Sequence, residues 1–338
     1  MKIIKKLHNL AIATAVTATL GAPLASAAEL KLATFIPPQH HLHKNLFTWF
    51  ANEVEARSNG ELTVKIYPSG QLGAGPVQQY KRVLEGVADI TFGLPAYTPK
   101  VFQKTMMIIP PGKSQNAKQS TQRLWNVYDK HLAPEYKNVK LLGLWTVAGI
   151  GLASKEKPIR TLEDIKGLKY VPYGAMTTPI VEAMEAVPVQ LPVTEFYTAL
   201  STGTVDAITA TPNNMVPPWN LWDVSKYWID NIPVAHTAFF LAMNKNSYSH
   251  LPERHRAIID ELAGEALSLR GAKSFDDIDA KSLEMMKQNP DKFEWITVSP
   301  QERKRMDSAV EGALPKVFEN MKAQGLSNPE EVYNDINS

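Results

Sequence analysis

Two stretches of this chain echo each other at a fixed offset, and that echo constrains the fold more than any other feature. Tyr80, Val83, Gly86 and Asp89 in YKRVLEGVADIT correspond to Tyr197, Leu200, Gly203 and Asp206 in YTALSTGTVDAIT, each pair 117 positions apart. Thr91 then falls against Ile208 or Thr209. Each copy reads as a helix, a glycine break, an aspartate and a short apolar strand. A helix-to-strand unit used twice implies two similar α/β lobes, and small molecules bind in clefts at such boundaries.

The rest of the chain fits that scheme. Leu30 to Phe35 and Leu62 to Tyr67 alternate like strands, and the segment from His43 to Ser58 carries Leu46, Phe47, Phe50 and Val54 at helical spacing. That opening β-α-β unit favours a sheet with a crossover helix. Further strands are predicted at Asp89 to Gly93, Val139 to Trp145, Leu168 to Val171, Val187 to Leu191, Ala238 to Met243 and Phe293 to Val298. The second-copy strand follows Asp206. A long amphipathic helix is predicted over Gln115 to Tyr136, and helical patterns run from Pro252 to Asn289 and from Pro300 onward. Alternation of strands and helices throughout indicates an α/β protein.

The first residues read as a targeting segment. Lys2, Lys5 and Lys6 form a positive start, Leu10 to Leu20 is a short apolar run, and Ala25-Ser26-Ala27 is a small-residue cleavage site, the pattern of a secretory signal peptide. Removal of 27 of the 338 residues takes away three lysines and no acids, so the formal charge changes from +2 to −1. A near-neutral exported chain offers no electrostatic basis for nucleic acid. It has no cysteine, which excludes disulfides, thiol catalysis and thiolate metal sites.

Catalytic motifs are absent. Gly112-Lys113-Ser114 lacks the earlier glycine of a phosphate loop, Gly73-Ala74-Gly75 lacks the third glycine of a dinucleotide fingerprint, and neither HExxH nor GxSxG occurs. His40, His41 and His43 could suggest a metal, but no carboxylate stands nearby to complete a site, so a loop bordering the cleft is the preferred reading. Asp276, Asp277 and Asp279 are read as a solvated helix face. Aromatic residues cluster at strand ends instead: Tyr97, Trp145, Tyr170, Tyr173, Trp219 and Trp222 could stack on a ligand or hold a cation.

Three segments carry a resemblance. Tyr67-Pro68-Ser69-Gly70-Gln71-Leu72-Gly73, Pro158-Ile159-Arg160-Thr161-Leu162-Glu163-Asp164-Ile165-Lys166-Gly167-Leu168-Lys169, and Glu195 to Leu200 continuing through Gly203-Thr204-Val205-Asp206 resemble the DctP-type solute-binding proteins of tripartite ATP-independent periplasmic (TRAP) transporters. The likeness runs over nearly all of the chain after the leader. It implies two Rossmann-like lobes of the periplasmic binding protein type II kind, an interlobe ligand cleft, closure on a small polar organic solute, and delivery to TRAP membrane permease subunits. It also implies a periplasmic location with cleavage near Ala27, no enzyme activity and no cofactor or metal. The chain is expected to be a monomer. The alternative is an exported enzyme or a sensor-partner binding protein on the same scaffold.

One departure bears on the solute. The family arginine that grips a ligand carboxylate would precede a proline by two positions, yet here the run is Gly167-Leu168-Lys169-Tyr170-Val171-Pro172, with Tyr170 in that place. A second arginine is missing from Gly149 to Ser154. Either an organic acid binds without the usual arginine, or the ligand carries no carboxylate, for example a small amino alcohol in an aromatic box. Ligand-binding candidates are His41, Tyr97, Trp145, Tyr170, Tyr173, Thr211, Asn213, Asn214, Trp219 and Phe239. The expected division is a signal peptide over 1–27, a first lobe from 28–150 plus 237–298, a second lobe over 151–236, and a C-terminal helical segment over 299–338 that packs on the lobes.

Overall fold

The structure is a computed structural model and describes residues 28–108, 116–147, 149–233 and 236–338. The leader over 1–27, the start of the predicted helix at Gln115 and the Gly112-Lys113-Ser114 turn lie outside the described residues.

Eleven strands form two sheets among the described residues. The first holds β1 (Ala28–Ala33), β2 (Leu62–Tyr67), β3 (Ile90–Gly93), β4 (Val139–Thr146) and β10 (Ala238–Asn244), in the order β2-β1-β3-β10-β4. The second holds β5 (Gly151–Ser154), β6 (Lys169–Val171), β7 (Val187–Pro188), β8 (Ala207–Ala210), β9 (Tyr227–Asp230) and β11 (Glu294–Thr297), in the order β11-β9-β5-β8-β6-β7. β1 is parallel to β2 and β3, while β10 runs antiparallel to β3 and β4. Each sheet therefore builds one lobe, and the α/β reading with two lobes describes the molecule.

The two echo copies occupy equivalent places. The helix Gln79–Leu84 leads into β3, and the helix Phe196–Thr202 leads into β8. Gly86 and Gly203 both take left-handed backbone, φ 70° and 74°, which lets each helix end and turn without a Cβ clash. The aspartates have matching work: Asp89 Oδ2 accepts from the Lys31 amide at 2.7 Å and Asp206 Oδ2 accepts from the Lys169 amide at 2.8 Å. In each lobe the aspartate before the echo strand thus ties down the neighbouring strand.

The predicted long helix over Gln115 to Tyr136 is shorter. A regular helix covers Ala117–Asn126, followed by a wider turn over Tyr128–Leu132 and a tight one over Ala133–Tyr136. Pro134 has no amide hydrogen with which to continue an α-helical ladder. A second difference concerns β11. The expected division placed residues 237–298 with the first lobe, but Glu294–Thr297 runs parallel to β9 in the second sheet. A four-residue strand carries no local signal of which sheet it joins.

Phe47, Phe50, Phe92, Trp145, Leu241 and Phe275 belong to the first-lobe core. Phe196, Leu200, Ile208, Trp228 and Phe293 belong to the second. A third apolar cluster joins the outer faces of both lobes to the C-terminal helices through Met306, Val310, Val317 and Ile336. The helix Pro300–Ala323 packs on Thr178–Ala183 of the second lobe, and Pro329–Asn337 packs on Thr105–Ile108 and Ala117–Asn126 of the first. No helix among the described residues is long and apolar enough to cross a membrane.

Gly151 marks a tight point where β5 meets β9. A Cβ there would lie 2.4 Å from the Ile229 carbonyl oxygen and 2.7 Å from Trp228 Cζ2. The backbone oxygen cannot swing away, so Gly151→Ala should destabilise the fold by roughly 1–3 kcal/mol. A urea denaturation midpoint equal to wild type would contradict this packing.

Candidate ligand cavity

Loops at the ends of strands in both lobes line a shared cavity, the kind of place where small molecules bind. From the first lobe, the loop after β1 brings Phe35, Ile36 and His40, β3 brings Phe92, and the turn after it brings Ala96 and Tyr97. β10 and its approach bring Thr237 and Phe239, and the helix Glu265–Lys287 adds Phe275. Facing them from the second lobe are Pro172, Tyr173 and Gly174 after β6, Leu191 and Val193 after β7, and Thr211, Asn213 and Asn214 after β8, with Phe196 and Trp219.

One wall is a stack of near-parallel rings. Phe35 and Phe92 lie 5.2 Å apart at 21°, Phe92 and Phe239 5.6 Å apart at 17°, and Phe239 and Phe275 5.1 Å apart at 15°. Offset-stacked rings at these distances form a firm apolar surface. The two lobes touch across the cavity. The Val193 amide donates to Tyr97 Oη at 3.1 Å, and the His40 ring meets the Trp219 ring edge-on at 6.0 Å.

Polar groups gather on the second lobe. Thr211 caps the short turn Pro212–Met215, and its amide and hydroxyl both donate to Asn214 Oδ1 at 3.0 Å. Asn213 Nδ2 donates to Thr211 Oγ1 at 2.6 Å and to Asp279 Oδ1 at 2.9 Å, and the Asn213 amide reaches the same carboxylate oxygen at 3.2 Å. Burial pushes the Asp279 carboxyl up to about 7. Burial also pushes Tyr97 up to about 12 and raises Tyr173, the latter with help from nearby Asp279. His40 Nδ1 accepts from the Leu42 amide, which leaves the ring proton on Nε2. Burial, reinforced by His43, lowers His40 to about 3, so it is a neutral donor at the cavity wall.

Seven of the ten candidate residues line this cavity: Tyr97, Tyr173, Thr211, Asn213, Asn214, Trp219 and Phe239. Three stand outside its wall. Trp145 is fully buried behind Phe92, 5.8 Å from it at 13°. Tyr170 is buried beneath the wall with its hydroxyl bonded to Thr209. His41 stacks under His40 and bonds Ser274 Oγ through Nδ1. Sequence reasoning missed His40 in favour of its neighbour, and it missed Phe92 and Phe275. The three aspartates do not share one solvated face. Asp277 pairs with Lys273 in solvent, Asp276 accepts from the Ala117 and Lys118 amides, and Asp279 is buried behind Asn213.

Away from the cavity, His131, Glu331 and Asp335 could together hold a metal, but the Lys130 ammonium already lies 2.6 Å from Asp335 and 3.3 Å from Glu331.

Known proteins resemble this chain throughout. The "Outer membrane transporter protein TsaT" of Comamonas testosteroni is 27% identical over 266 residues, 77% of this chain and 78% of that one. A TRAP solute-binding protein from Rhodoferax ferrireducens T118, solved with copurified benzoate, shares 25% identity at a TM-score of 0.85, covering 92% of this chain and 97% of that one. A marine metagenome TRAP solute-binding protein specific for aromatic acid ligands, solved with metahydroxyphenylacetate, shares 26% identity at a TM-score of 0.85 with the same coverage. A family model described as bacterial extracellular solute-binding protein, family 7, matches residues 32–321. The chain therefore belongs to the DctP family of TRAP solute-binding proteins, which bind solutes for transport and are not enzymes.

Proposed function

We propose that this chain is exported to the periplasm, loses its leader near Ala27, captures a small aromatic solute between its lobes and delivers it to a TRAP permease. The observation that carries the reading is the cavity wall of eight aromatic rings, four of them in one near-parallel stack. A planar ring ligand fits such a wall by the same offset stacking the wall uses within itself. The ligands of the two aromatic-acid and benzoate-bound relatives agree with it. An amino alcohol fits less well. The polar end is rich in donors, and Asn213 Oδ1 is the side-chain amide oxygen there that no protein donor fills.

A thermal-shift screen tests this. A ligand present at a hundredfold excess over its dissociation constant stabilises by about 2.7 kcal/mol. Benzene-ring solutes should raise the melting temperature, whereas succinate and ethanolamine should not. A response confined to ethanolamine or to succinate would overturn the aromatic assignment. Mass analysis of the chain recovered from a periplasmic extract should give an N-terminus at Ala28, and an intact leader there would contradict export by cleavage.

A further inference from the structure

Resting on that aromatic reading, we propose that the cavity selects uncharged aromatic solutes carrying an amide- or carbonyl-type substituent over aromatic carboxylates, with Asp279 as the positioning residue that sets the preference.

The argument begins with Asn213. Its Nδ2 is held twice, by Asp279 Oδ1 and by Thr211 Oγ1. The Asp279 carboxylate only accepts, and the Thr211 hydroxyl spends its proton on Asn214 Oδ1. Both partners thus demand the NH2 end of Asn213. The amide cannot turn over, and Oδ1 is the end left uncommitted at the cavity wall. A ligand N–H or O–H satisfies that oxygen, whereas a carboxylate oxygen placed there meets a second acceptor and no proton.

The remaining polar groups are neutral donors. His40 keeps its proton on Nε2. Tyr97 receives the Val193 amide, so its own hydroxyl proton is free. Asn214 Oδ1 is filled by Thr211 and Tyr173, which leaves its NH2. This set can satisfy a carbonyl oxygen. No lysine or arginine lines the cavity among the described residues, and the Tyr170 hydroxyl is already bonded to Thr209.

A carboxylate ligand would also lie one amide group away from a buried carboxylate. The charged or titratable neighbours of Asp279 are Asp276 and Tyr173, and neither supplies positive charge. Like charges at that spacing repel, and because Asp279 escapes the repulsion at pH 8 by taking up a proton across about one pH unit, the pair lowers affinity by up to about tenfold.

Benzamide and benzoate test this directly because they share a shape and differ in charge. Calorimetric titration of the mature protein at pH 8, where Asp279 is ionised, should show benzamide binding at least tenfold tighter. Asp279→Asn removes the negative charge behind Asn213 and keeps an oxygen to accept from it. The ratio of benzoate to benzamide affinity should then rise about tenfold. A purely structural role would weaken both ligands alike and leave their ratio unchanged, which would sink the assignment to Asp279. Wild-type preference for benzoate overturns the proposal while leaving the aromatic reading intact. Failure of both probes, alongside binding of succinate or ethanolamine, overturns both. Should the variant fail to fold, the wild-type ratio alone decides.

Discussion

Asp279→Asn should make the unliganded protein markedly more stable at pH 8 and leave it nearly unchanged near pH 3. Burial raises the folded-state value of this carboxyl from 3.8 to about 7. Between those values the native state holds a proton that the unfolded chain has released. Stability therefore falls as pH rises through that window, and the full cost is present above about 7. A shift of about three units corresponds to roughly 4 kcal/mol, an upper figure for the gain on removing the charge. Asparagine keeps an oxygen to accept from Asn213 and carries no charge to desolvate. The measurement is the difference in urea midpoint between variant and wild type across pH 3 to 8. The difference must be taken, because buried His40 and His41, whose values are lowered, oppose the trend in the wild-type curve alone. A difference that stays flat across this range would show that the carboxylate is not paying for its burial.

Trp145→Ala should cost about 3–5 kcal/mol, the usual range for deleting a large buried aromatic. Trp145 has no exposed surface and stacks on both Phe92 and Phe239. On its other side a Cβ at Gly271 would lie 2.8 Å from Trp145 Cδ2, so the helix Glu265–Lys287 approaches the indole closely. Trp145 Nε1 has no hydrogen-bond partner, so the loss is one of packing. Trp145→Phe should recover much of the stability and should retain ligand-induced stabilisation, because the ring supports the wall from behind. A urea midpoint for Trp145→Ala within about 1 kcal/mol of wild type would contradict this placement.

The fold was legible where a residue's role is local. Glycine breaks and strand-leading aspartates mean the same thing in both lobes, which is why Asp89 and Asp206 mark equivalent strands. The likeness is one of backbone and not of side-chain environment, since Tyr80 is buried and Tyr197 is exposed. The site was legible as strand ends, because ligands in such folds collect there. What failed was direction. Successive strand residues point to opposite faces, and sequence alone did not show that Tyr170 points beneath the wall. Asp279 was misread for a longer-range reason. Its charge looks solvated from its own helix, and only the turn Pro212–Met215, far away in sequence, covers it.

The chain passes between the two sheets three times, from β4 to β5, from β9 to β10, and from the helix Glu265–Lys287 to β11, and its last helix, Pro329–Asn337, returns to the first lobe. A single tether would let one half spin and slide against the other. Several connections resist torsion and shear in a way that one does not.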